Sequence, residues 1–306
     1  MHITETAIPG LLIIGLDVHG DNRGWFKENW QREKLTELAP KLASFQPVQN
    51  NVSYNHAGAT RGLHAEPWDK LVSVAQGKIF GAWCDLREGS ESFGEVVTHE
   101  VGPETAVFVP RGVANGFQAL EETSYCYLVN EHWSAEALYS AVNLNIIDWP
   151  LEPTEISKKD KQHPALEDVS PMPARRILVT GANGQLGRAL KRLLADAEFC
   201  THAEFDITNP PARNWKQYSA IINCAAYNDV NGAESDRAAA WAVNAEGPAK
   251  LARIAAENQI TLVHVSSDYI FDGANEVHTE EELPSPLSAY GAVSYTHLTL
   301  PTKRIV

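Results

Sequence analysis

The sequence is poor in cysteine, in basic residues and in long apolar runs, and each shortage excludes a class of protein. The four cysteines, Cys84, Cys126, Cys200 and Cys224, form no CxxC pair, so their spacing fits neither a zinc knot nor a disulfide framework. Lys and Arg number 25 against 39 Asp and Glu, for a formal net charge of −14. A chain this acidic repels phosphate backbones and anionic lipid, so neither nucleic acid nor a membrane is an expected partner.

The apolar runs, such as residues 11–14, are far too short to span a bilayer. Residues 1–5 contain no basic region followed by an apolar stretch, so no signal peptide is predicted and a cytoplasmic protein is expected. Hydrophobic residues nevertheless make up 44% of the 306 residues. At about 150 residues per domain, the length predicts two domains, each with its own core.

The first half of the chain has the pattern of a β domain. Short runs rich in Val, Ile, Tyr and Phe alternate with Gly, Pro, Asn and Asp, and one helix is expected near residues 32–42. Many strands at short, even spacing predict an all-β sandwich or barrel over residues 1–152, and an antiparallel double sheet of the jelly-roll kind fits best. The runs are 11–18, 48–54, 71–74, 79–84, 96–101, 106–109 and 124–129.

The composition changes between residues 149 and 173, where prolines at 150, 153, 164, 171 and 173 fall among charged residues. Such a segment is predicted to be extended and exposed, so residues 153–174 are interpreted as a tail and linker. Beyond it, strands at 176–180, 220–223 and 261–266 alternate with helices at 185–195, 234–244 and 248–258. This alternation predicts an α/β Rossmann-type doubly wound parallel sheet over residues 175–292.

A glycine-spaced turn opens this second domain, where the run Ile177–Thr180 leads into Gly181, Gly184 and Gly187. Gly181 permits a tight turn, Gly184 lets the backbone approach a pyrophosphate, and Gly187 lets the helix pack closely on the strand. A strand before the turn and a helix after it make nucleotide binding the favoured interpretation over a purely structural turn.

These residues resemble dTDP-4-dehydrorhamnose reductase, an extended short-chain dehydrogenase, over residues 174–292. The motifs are TGANGQLG, Asp206-Ile207-Thr208, INCAAY, AVNAEG and SSDYIFDG. The resemblance implies that Ser267 polarises a substrate ketone and that Tyr290 protonates it while NADPH or NADH delivers hydride. It implies cofactor binding by Gly181, Asn183, Gly184, Gln185, Leu186, Gly187, Asp206, Ile207, Ala225, Ala226, Tyr227 and Asn244. Glu204 or Asp206, near the end of the second strand, would favour NAD, and the choice stays open.

The second domain also departs from this family. Ser294 stands four residues after Tyr290, where the family has the lysine that tunes the tyrosine and holds the nicotinamide ribose. From Val293 onward the sequence no longer resembles the family and looks like translated adaptor read-through. We therefore expect a truncated, inactive reductase domain with a non-native tail at residues 293–306.

The first domain carries basic and aromatic residues suited to an anionic ligand that bears a ketone. They lie in the motif RGLH, which contains Arg61 and His64, and at Lys70, Tyr125 and Tyr127. Histidine can remove the proton of a carbon acid near neutral pH. A lysine ammonium can stabilise an enolate oxygen, and arginine suits a pyrophosphate.

These motifs resemble dTDP-4-dehydrorhamnose 3,5-epimerase, a cupin-type jelly roll that needs no metal, over residues 1–170. The resemblance implies His64 as the general base, Asp160 as the residue that holds its tautomer, and Tyr127 as the acid on the opposite sugar face. It further implies that Lys70 stabilises the enolate, that Arg61 and Arg23 contact the phosphates, and that the domain forms a homodimer.

Two departures leave the substrate open. Ala65-Glu66-Pro67-Trp68 replaces the usual Tyr-Gln after RGLH, and Asn115 stands where the family usually has His. Both positions line the region where the sugar or base would bind, so the nucleotide sugar, and whether one or both carbons are inverted, stay undecided.

Other interpretations of the first domain remain possible. A register ambiguity leaves open which of Tyr125 and Tyr127 faces the site. A metal-binding cupin would need clustered ligands, yet His56, His64 and His99 include no His-x-His, and no metal is expected. A non-catalytic nucleotide-sugar sensor is a further alternative. Together the two halves predict successive steps of dTDP-L-rhamnose biosynthesis on one nucleotide-sugar substrate.

Overall fold

The computed structural model describes residues 1–275, 277–279 and 281–298. It divides into two compact units, Met1–Ala174 and Arg175–Val306, and each is described by itself. Within the described residues, no helix combines the length and apolar character needed to cross a membrane.

The first unit is built from two antiparallel sheets and a separate hairpin. Its strands are β1 His2–Glu5, β2 Leu12–Gly15, β3 Val18–Asp21, β4 Gly24–Lys27, β5 Gln49–Asn55, β6 Thr60–Ala65, β7 Lys70–Gln76, β8 Ile79–Asp85, β9 Val96–Val101, β10 Thr105–Val109, β11 Val113–Ala119, β12 Thr123–Val129 and β13 Ser140–Ala141. One sheet has the order β1-β2-β10-β7-β12-β5, and the other has the order β13-β6-β11-β8-β9. Strands β3 and β4 pair with each other.

The main core lies between the two sheets. Val72 and Val74 of β7 face inward because they are two residues apart on one strand, and they pack with Trp83 of β8 and Phe117 of β11. This double-sheet sandwich confirms the predicted jelly roll. The apolar criterion did not select β1, β4, β6, β11 or β13, because these strands are short or carry Gly and polar side chains.

The predicted helix is shorter than expected. Helix α1 spans Arg32–Leu38, and the Gln31 side chain accepts a hydrogen bond from the Lys34 backbone N–H at its start. Pro40 follows, and the chain continues as a 3-10 turn over Pro40–Ser44. Leu35 and Leu42 from these two segments pack against the outer face of the six-stranded sheet.

The tail of the first unit is exposed at most of its residues, as the sequence predicted, but three of its side chains return to the sheet. Asp160, His163 and Met172 are buried. The Thr60 backbone N–H donates to the Glu155 carbonyl at 2.9 Å, so the tail runs beside β6. Prolines stop it from forming a regular ladder, but the residues between them pack onto the five-stranded sheet, where Met172 joins its outer core.

The second unit has a four-stranded parallel sheet, as predicted. Its strands are β14 Arg176–Thr180, β15 Glu198–Cys200, β16 Tyr218–Asn223 and β17 Thr261–His264, in the order β15-β14-β16-β17. Its helices are α2 Gln185–Leu190, α3 Gly232–Ser235, α4 Arg237–Trp241, α5 Gly247–Asn258 and α6 Ala289–Leu298, with a π-helical stretch at Ala242–Glu246.

Helix α6 continues across Val293, the residue where the sequence predicted a non-native tail to begin. Val293 and Ser294 are buried in this helix. Residues 299–306 of the predicted tail lie outside the described residues. The origin of the tail therefore stays a prediction.

Candidate active site

A β-bulge places the two basic side chains of RGLH on one face of their strand. Arg61 lies opposite Phe117 and His64 lies opposite Asn115, so three steps along β6 match two steps along β11. Without this extra residue, positions three apart would point to opposite faces. Gly62 occupies the bulge with φ of +115°, and a Cβ there would lie 2.5 Å from the Gly116 Cα. The local backbone therefore requires glycine at this position.

His64 and Asp160 form a hydrogen-bonded pair although they are far apart in sequence. His64 Nε2 lies 2.9 Å from Asp160 Oδ1, and the Gly62 backbone N–H donates to Asp160 Oδ2 at 3.2 Å. Burial opposes ionisation of Asp160, but these hydrogen bonds outweigh it and lower the pKa of its carboxyl to about 2. An ionised carboxylate only accepts, so Nε2 carries the hydrogen and Nδ1 is left to accept a proton.

Lys70 lies inside the same cavity and is held by a carboxylate. Its Nζ is 2.6 Å from Glu66 Oε2, which also accepts a hydrogen bond from Trp68 Nε1 at 2.9 Å. The ammonium lies 4.6 Å from the centre of the Tyr127 ring. Both side chains of the ion pair are largely buried, so the positive charge is confined to a fixed position.

The expectation that register decides between Tyr125 and Tyr127 was wrong. Residues two apart on one strand share a face, and both tyrosines line the cavity with ring centres 5.8 Å apart. They differ in burial: the Tyr125 hydroxyl is buried and accepts a hydrogen bond from Asn115 Nδ2 at 3.2 Å. Tyr127 is half-buried, and burial together with Glu66 raises the pKa of its phenol, which therefore keeps its proton.

Asn115 and Arg61 are fixed by polar contacts at the cavity wall. The Asn115 Oδ1 accepts a hydrogen bond from Trp83 Nε1 at 2.9 Å, and Arg61 Nε donates to Asn55 Oδ1 at 2.8 Å. Arg23 lies outside the lining of this cavity. It sits on the hairpin β3–β4 with its side chain 90% exposed and paired with Asp21.

The cavity formed between the sheets has a volume of about 1090 Å³. His64, Asp160, Lys70 and Tyr127 line it together, and Arg61 and Asn115 complete the set of predicted residues that share it. The cavity therefore combines an oriented imidazole, a fixed cation and a protonated phenol. Such a set can remove a proton from carbon, stabilise the resulting oxyanion and return a proton.

Sequence reasoning missed the role of Glu66 as the partner of Lys70, and it missed His163 altogether. His163 is buried in the tail, three residues after Asp160, with its ring centre 5.0 Å from that of His64. Burial and the neighbouring His64 lower the pKa of His163. The i, i+4 spacing of Glu66 and Lys70 was a signal that could have indicated their ion pair. No such signal indicated the burial of His163, because the tail around it is polar.

The glycine turn of the second unit behaves as its spacing predicted. Gly181 has φ of +70°, and a Cβ there would lie 2.6 Å from the Ala225 backbone nitrogen. A Cβ at Gly187 would lie 2.5 Å from the Gly181 carbonyl oxygen. At Gly184 the nearest atom to a Cβ is the Gly181 oxygen at 3.3 Å. The first and third glycines thus allow close packing, whereas the second faces a more open space.

A second cavity of about 580 Å³ lies at the carboxyl edge of the parallel sheet, the position where doubly wound sheets bind ligands. The predicted residues that line it are Asn183, Gly184, Gln185, Leu186, Ala225, Ala226, Asn244, Ser267 and Tyr290. Arg188, Cys224, Asn228 and His264 also line it and were not predicted. Cys224 and Asn228 follow the end of β16 and His264 ends β17, and this position at strand ends is the signal that could have identified them; Arg188 lies in α2.

Five predicted cofactor residues do not line this cavity: Gly181, Gly187, Asp206, Ile207 and Tyr227. The Asp206 carboxylate accepts hydrogen bonds from the Thr208 backbone N–H and hydroxyl, both at 2.8 Å. Ile207 is buried in the core of the unit. The Tyr227 backbone exchanges hydrogen bonds with the Asn244 side chain, so this part of the motif orients Asn244 toward the cavity.

The predicted catalytic pair of the second unit shares the cavity with Ser294. Tyr290 is buried with its ring 5.5 Å from that of Tyr269, edge to face. The Ser267 hydroxyl caps the turn that follows β17 by accepting from the Tyr269 backbone N–H at 3.2 Å. Ser294 occupies the wall where the resembling family carries a lysine, so no cation is supplied from this position.

Comparison with known proteins supports the first resemblance. Residues 5–168 match the family described as dTDP-4-dehydrorhamnose 3,5-epimerase. Over 176 residues the chain is 51% identical to Protein RmlC homolog of Streptococcus pyogenes serotype M6, covering 54% of this chain and 89% of that protein. The structure of RmlC from Streptococcus suis in complex with dTDP-D-xylose has a TM-score of 0.53 at 47% identity, covering 56% of this chain and 94% of that one.

The second half matches a different family. Residues 175–296 match the family described as RmlD substrate binding domain. Over 106 residues the chain is 48% identical to dTDP-4-dehydrorhamnose reductase of Mycobacterium tuberculosis, covering 33% of this chain and 35% of that protein. The chain therefore spans about a third of the length of this reductase. Both resemblances predicted from the sequence are confirmed.

Proposed function

We propose, from the premise that this chain belongs to the dTDP-4-dehydrorhamnose 3,5-epimerase family through residues 5–168, that its first unit inverts C3 and C5 of dTDP-4-dehydro-6-deoxyglucose. The observation that carries the proposal is the His64–Asp160 hydrogen bond of 2.9 Å at the wall of a cavity shared with Lys70 and Tyr127. Residues 175–296 join to it a unit of a reductase-type family, so the two parts fit consecutive reactions on one nucleotide sugar.

The proposed reaction uses each polar group of the cavity once per carbon. His64 removes the proton from a carbon next to the ketone, and the C–H electrons move onto the ketone oxygen to form an enolate. The Lys70 ammonium stabilises that oxygen. Tyr127 then donates its phenolic proton to the opposite face of the carbon, and the ketone re-forms. Water restores the proton of Tyr127 and takes the proton held by His64.

Deuterium incorporation from heavy water tests this function directly. Wild-type protein should place two deuterons in dTDP-4-dehydro-6-deoxyglucose, and the His64→Asn variant should place none. A matched control is His99→Asn, because His99 lies exposed on β9 and should leave exchange unchanged. A single deuteron would restrict the reaction to one carbon. The absence of exchange in the wild type would reject the epimerase function on this substrate.

Tyr127→Phe is expected to separate proton exchange from inversion. His64 would still remove and return a proton on one face, whereas the opposite face would lack its donor. The variant should therefore incorporate deuterium with the configuration retained, which proton NMR of the sugar ring would show. The matched change Tyr125→Phe should preserve inversion, because the Tyr125 hydroxyl is engaged by Asn115. Full inversion in Tyr127→Phe would remove Tyr127 from the acid role.

For the second unit we propose reduction of the C4 ketone of the epimerised sugar as the activity of its family, with a nicotinamide cofactor. The residues fit such a cofactor in part: the cavity of about 580 Å³ is bordered by the open side of the turn at Gly184. Asn183, Gln185 and Leu186 would hold the cofactor there, and bound NADPH or NADH would supply the hydride. Ser267 and Tyr290 would bind the ketone oxygen, without a lysine at position 294.

We expect that the 306-residue chain binds NADPH weakly and does not turn it over. The cation that would lower the pKa of a catalytic tyrosine and hold the nicotinamide ribose is replaced by Ser294. Absorbance of NADPH should stay constant when the purified chain is mixed with the epimerised ketone. Oxidation at a rate proportional to protein concentration would contradict this expectation.

Three further assignments stay predictions. The resemblance implies a homodimer through the jelly roll, and exposed Trp25 and Phe26 on the hairpin β3–β4 are consistent with an interface. Light scattering on the full chain would determine the oligomeric state. The choice between NADPH and NADH and the cytoplasmic location are likewise predictions.

A further inference from the structure

His163 is a buried histidine at the wall of the first unit's cavity, and the proposed reaction does not use it. Its side chain is 6% exposed, and it lines the cavity beside His64 and Asp160. The tail holds its backbone in place, because the His163 carbonyl accepts a hydrogen bond from Asn143 Nδ2 at 3.2 Å. A buried, anchored imidazole next to the proposed base is therefore placed to act on that base.

A 3-10 turn sets the spacing between His163 and Asp160. The turn covers Asp160–Gln162, and His163 follows it as the cap residue. Side chains three residues apart eclipse in a 3-10 turn, so Asp160 and His163 face the same part of β6. The Gly62 backbone meets both: its N–H donates to Asp160 Oδ2 at 3.2 Å, and it lies within hydrogen-bonding reach of the His163 imidazole. One short turn of the tail thus presents two side chains to the strand that carries His64.

The His163 ring packs against the His64 ring. The two ring centres are 5.0 Å apart and the planes meet at 80°, an edge-to-face arrangement that aromatic rings favour. His64 also donates from Nε2 to Asp160 Oδ1 at 2.9 Å. Nε2 lies near the axis about which an imidazole turns, and that torsion is soft, so this hydrogen bond restrains the ring only weakly. The contact with a second ring at a steep angle restrains the plane of the His64 imidazole as well.

We propose that His163 is a positioning residue, whose ring holds the His64 imidazole in the plane that directs the Nδ1 lone pair to the substrate carbon. The inference rests on the proposed epimerase function, because it concerns the residue that removes the proton. The lone pair of Nδ1 lies in the ring plane, so a turn of the ring moves it away from the C–H bond. A misplacement of about 1 Å can cost about 100-fold in rate.

His163 is suited to this role because it stays uncharged. Burial and the nearby His64 lower the pKa of its imidazole, and Lys159 acts in the same direction, whereas Asp160 and the Gly62 backbone oppose the shift without reversing it. In the reaction His64 becomes an imidazolium, and a second cation with its ring centre 5.0 Å away would disfavour that step. His163 Nε2 is also 3.9 Å from Asp160 Oδ1, so a charged His163 would compete for the carboxylate that orients the base.

Two apolar substitutions in the full chain separate the ring contact from other roles of His163. Both His163→Phe and His163→Leu remove the imidazole nitrogens, but only phenylalanine keeps a neutral ring beside His64. We expect kcat for deuterium exchange to fall roughly 10- to 100-fold in His163→Leu and to stay within about threefold of the wild type in His163→Phe, with KM within about threefold in both. The matched control is His99→Leu, because His99 is exposed on β9.

Proton NMR without substrate gives a second readout. The Nε2 hydrogen that His64 shares with Asp160 should produce a low-field signal in the wild type, identified by its loss in His64→Asn. His163→Leu should shift or broaden this signal, and His163→Phe should restore it. A purely structural role would instead lower the unfolding temperature and leave the signal of the folded protein unaltered.

Two kinetic results would overturn the positioning role. One is wild-type kcat in His163→Leu, and the other is an equal loss of kcat in the leucine and phenylalanine variants. If thermal unfolding shows that His163→Phe is not folded, the NMR signal decides, and an unaltered signal in His163→Leu rejects the proposal. The absence of exchange in the wild type would reject the epimerase function, whereas the NMR signal would still test the contact between the two rings.

Discussion

Replacing Asp160 with Asn is expected to slow deuterium exchange by roughly 1,000- to 10,000-fold, the cost of losing a carboxylate that orients a catalytic imidazole. Asp160 accepts from His64 Nε2 at 2.9 Å, and its pKa of about 2 keeps it ionised across the working pH range. An asparagine can present its NH2 group to Nε2 and thereby favour the tautomer in which Nδ1 carries the hydrogen. Nδ1 of His64 would then carry a hydrogen and could not accept a proton from the substrate carbon.

The measurement is the exchange rate by mass spectrometry, together with calorimetric affinity for dTDP. Affinity should change little, since Asp160 orients His64 and is not expected to contact the nucleotide. Asp168→Asn is the matched control, because Asp168 is an exposed carboxylate of the same tail. An exchange rate within tenfold of the wild type in Asp160→Asn would show that His64 does not depend on this contact.

Lys70→Met is expected to lower the exchange rate by roughly 100- to 1,000-fold, the usual cost of removing a group that stabilises an oxyanion. The ammonium is the cation held between Glu66, at 2.6 Å, and the Tyr127 ring, at 4.6 Å. Methionine preserves much of the side-chain volume but leaves Glu66 as an unpaired, largely buried carboxylate. The single variant should therefore also lose stability, by about 3–5 kcal/mol.

A double variant separates the two effects. Lys70→Met with Glu66→Gln removes both charges, so its thermal unfolding temperature should recover toward the wild-type value while exchange stays slow. Glu66→Gln alone should keep the ammonium in the cavity and retain much of the activity. Recovery of exchange in the double variant would mean that Lys70 acts only by neutralising Glu66, and it would exclude the enolate role.

The sequence predicted the strands of the sandwich best where their side chains serve only to fill the core. Val72, Val74 and Trp83 follow the apolar pattern of a core and were found there. The strands β6 and β11 escaped that criterion because Gly62, Gly116 and polar residues interrupt them. Their composition is set by the bulge and the cavity rather than by burial, so they were recognised through the motif RGLH instead.

The tail shows the limit of local reasoning. Prolines and lysines predicted an exposed linker, and nothing within residues 153–174 indicates which side chains return to the sheet. Asp160 was identified only through the family resemblance, and His163 was not identified, because its burial depends on a β6 strand almost 100 residues earlier. In the second unit, Gly181 and Gly187 were predictable because their roles are local to one turn. Asp206 and Ile207 were not, since the strand β15 ends at Cys200.

The return of the tail to β6 determines where the two halves of this chain can be separated. A cut after residue 152 would follow the composition of the sequence, but it would remove the carboxylate partner of His64 and the strip of chain that pairs with Thr60 at its backbone. A cut after Ala174 keeps both. The tail is therefore a structural part of the first unit. Dividing or fusing the chain after Ala174 leaves all the residues of the proposed epimerase site in that unit.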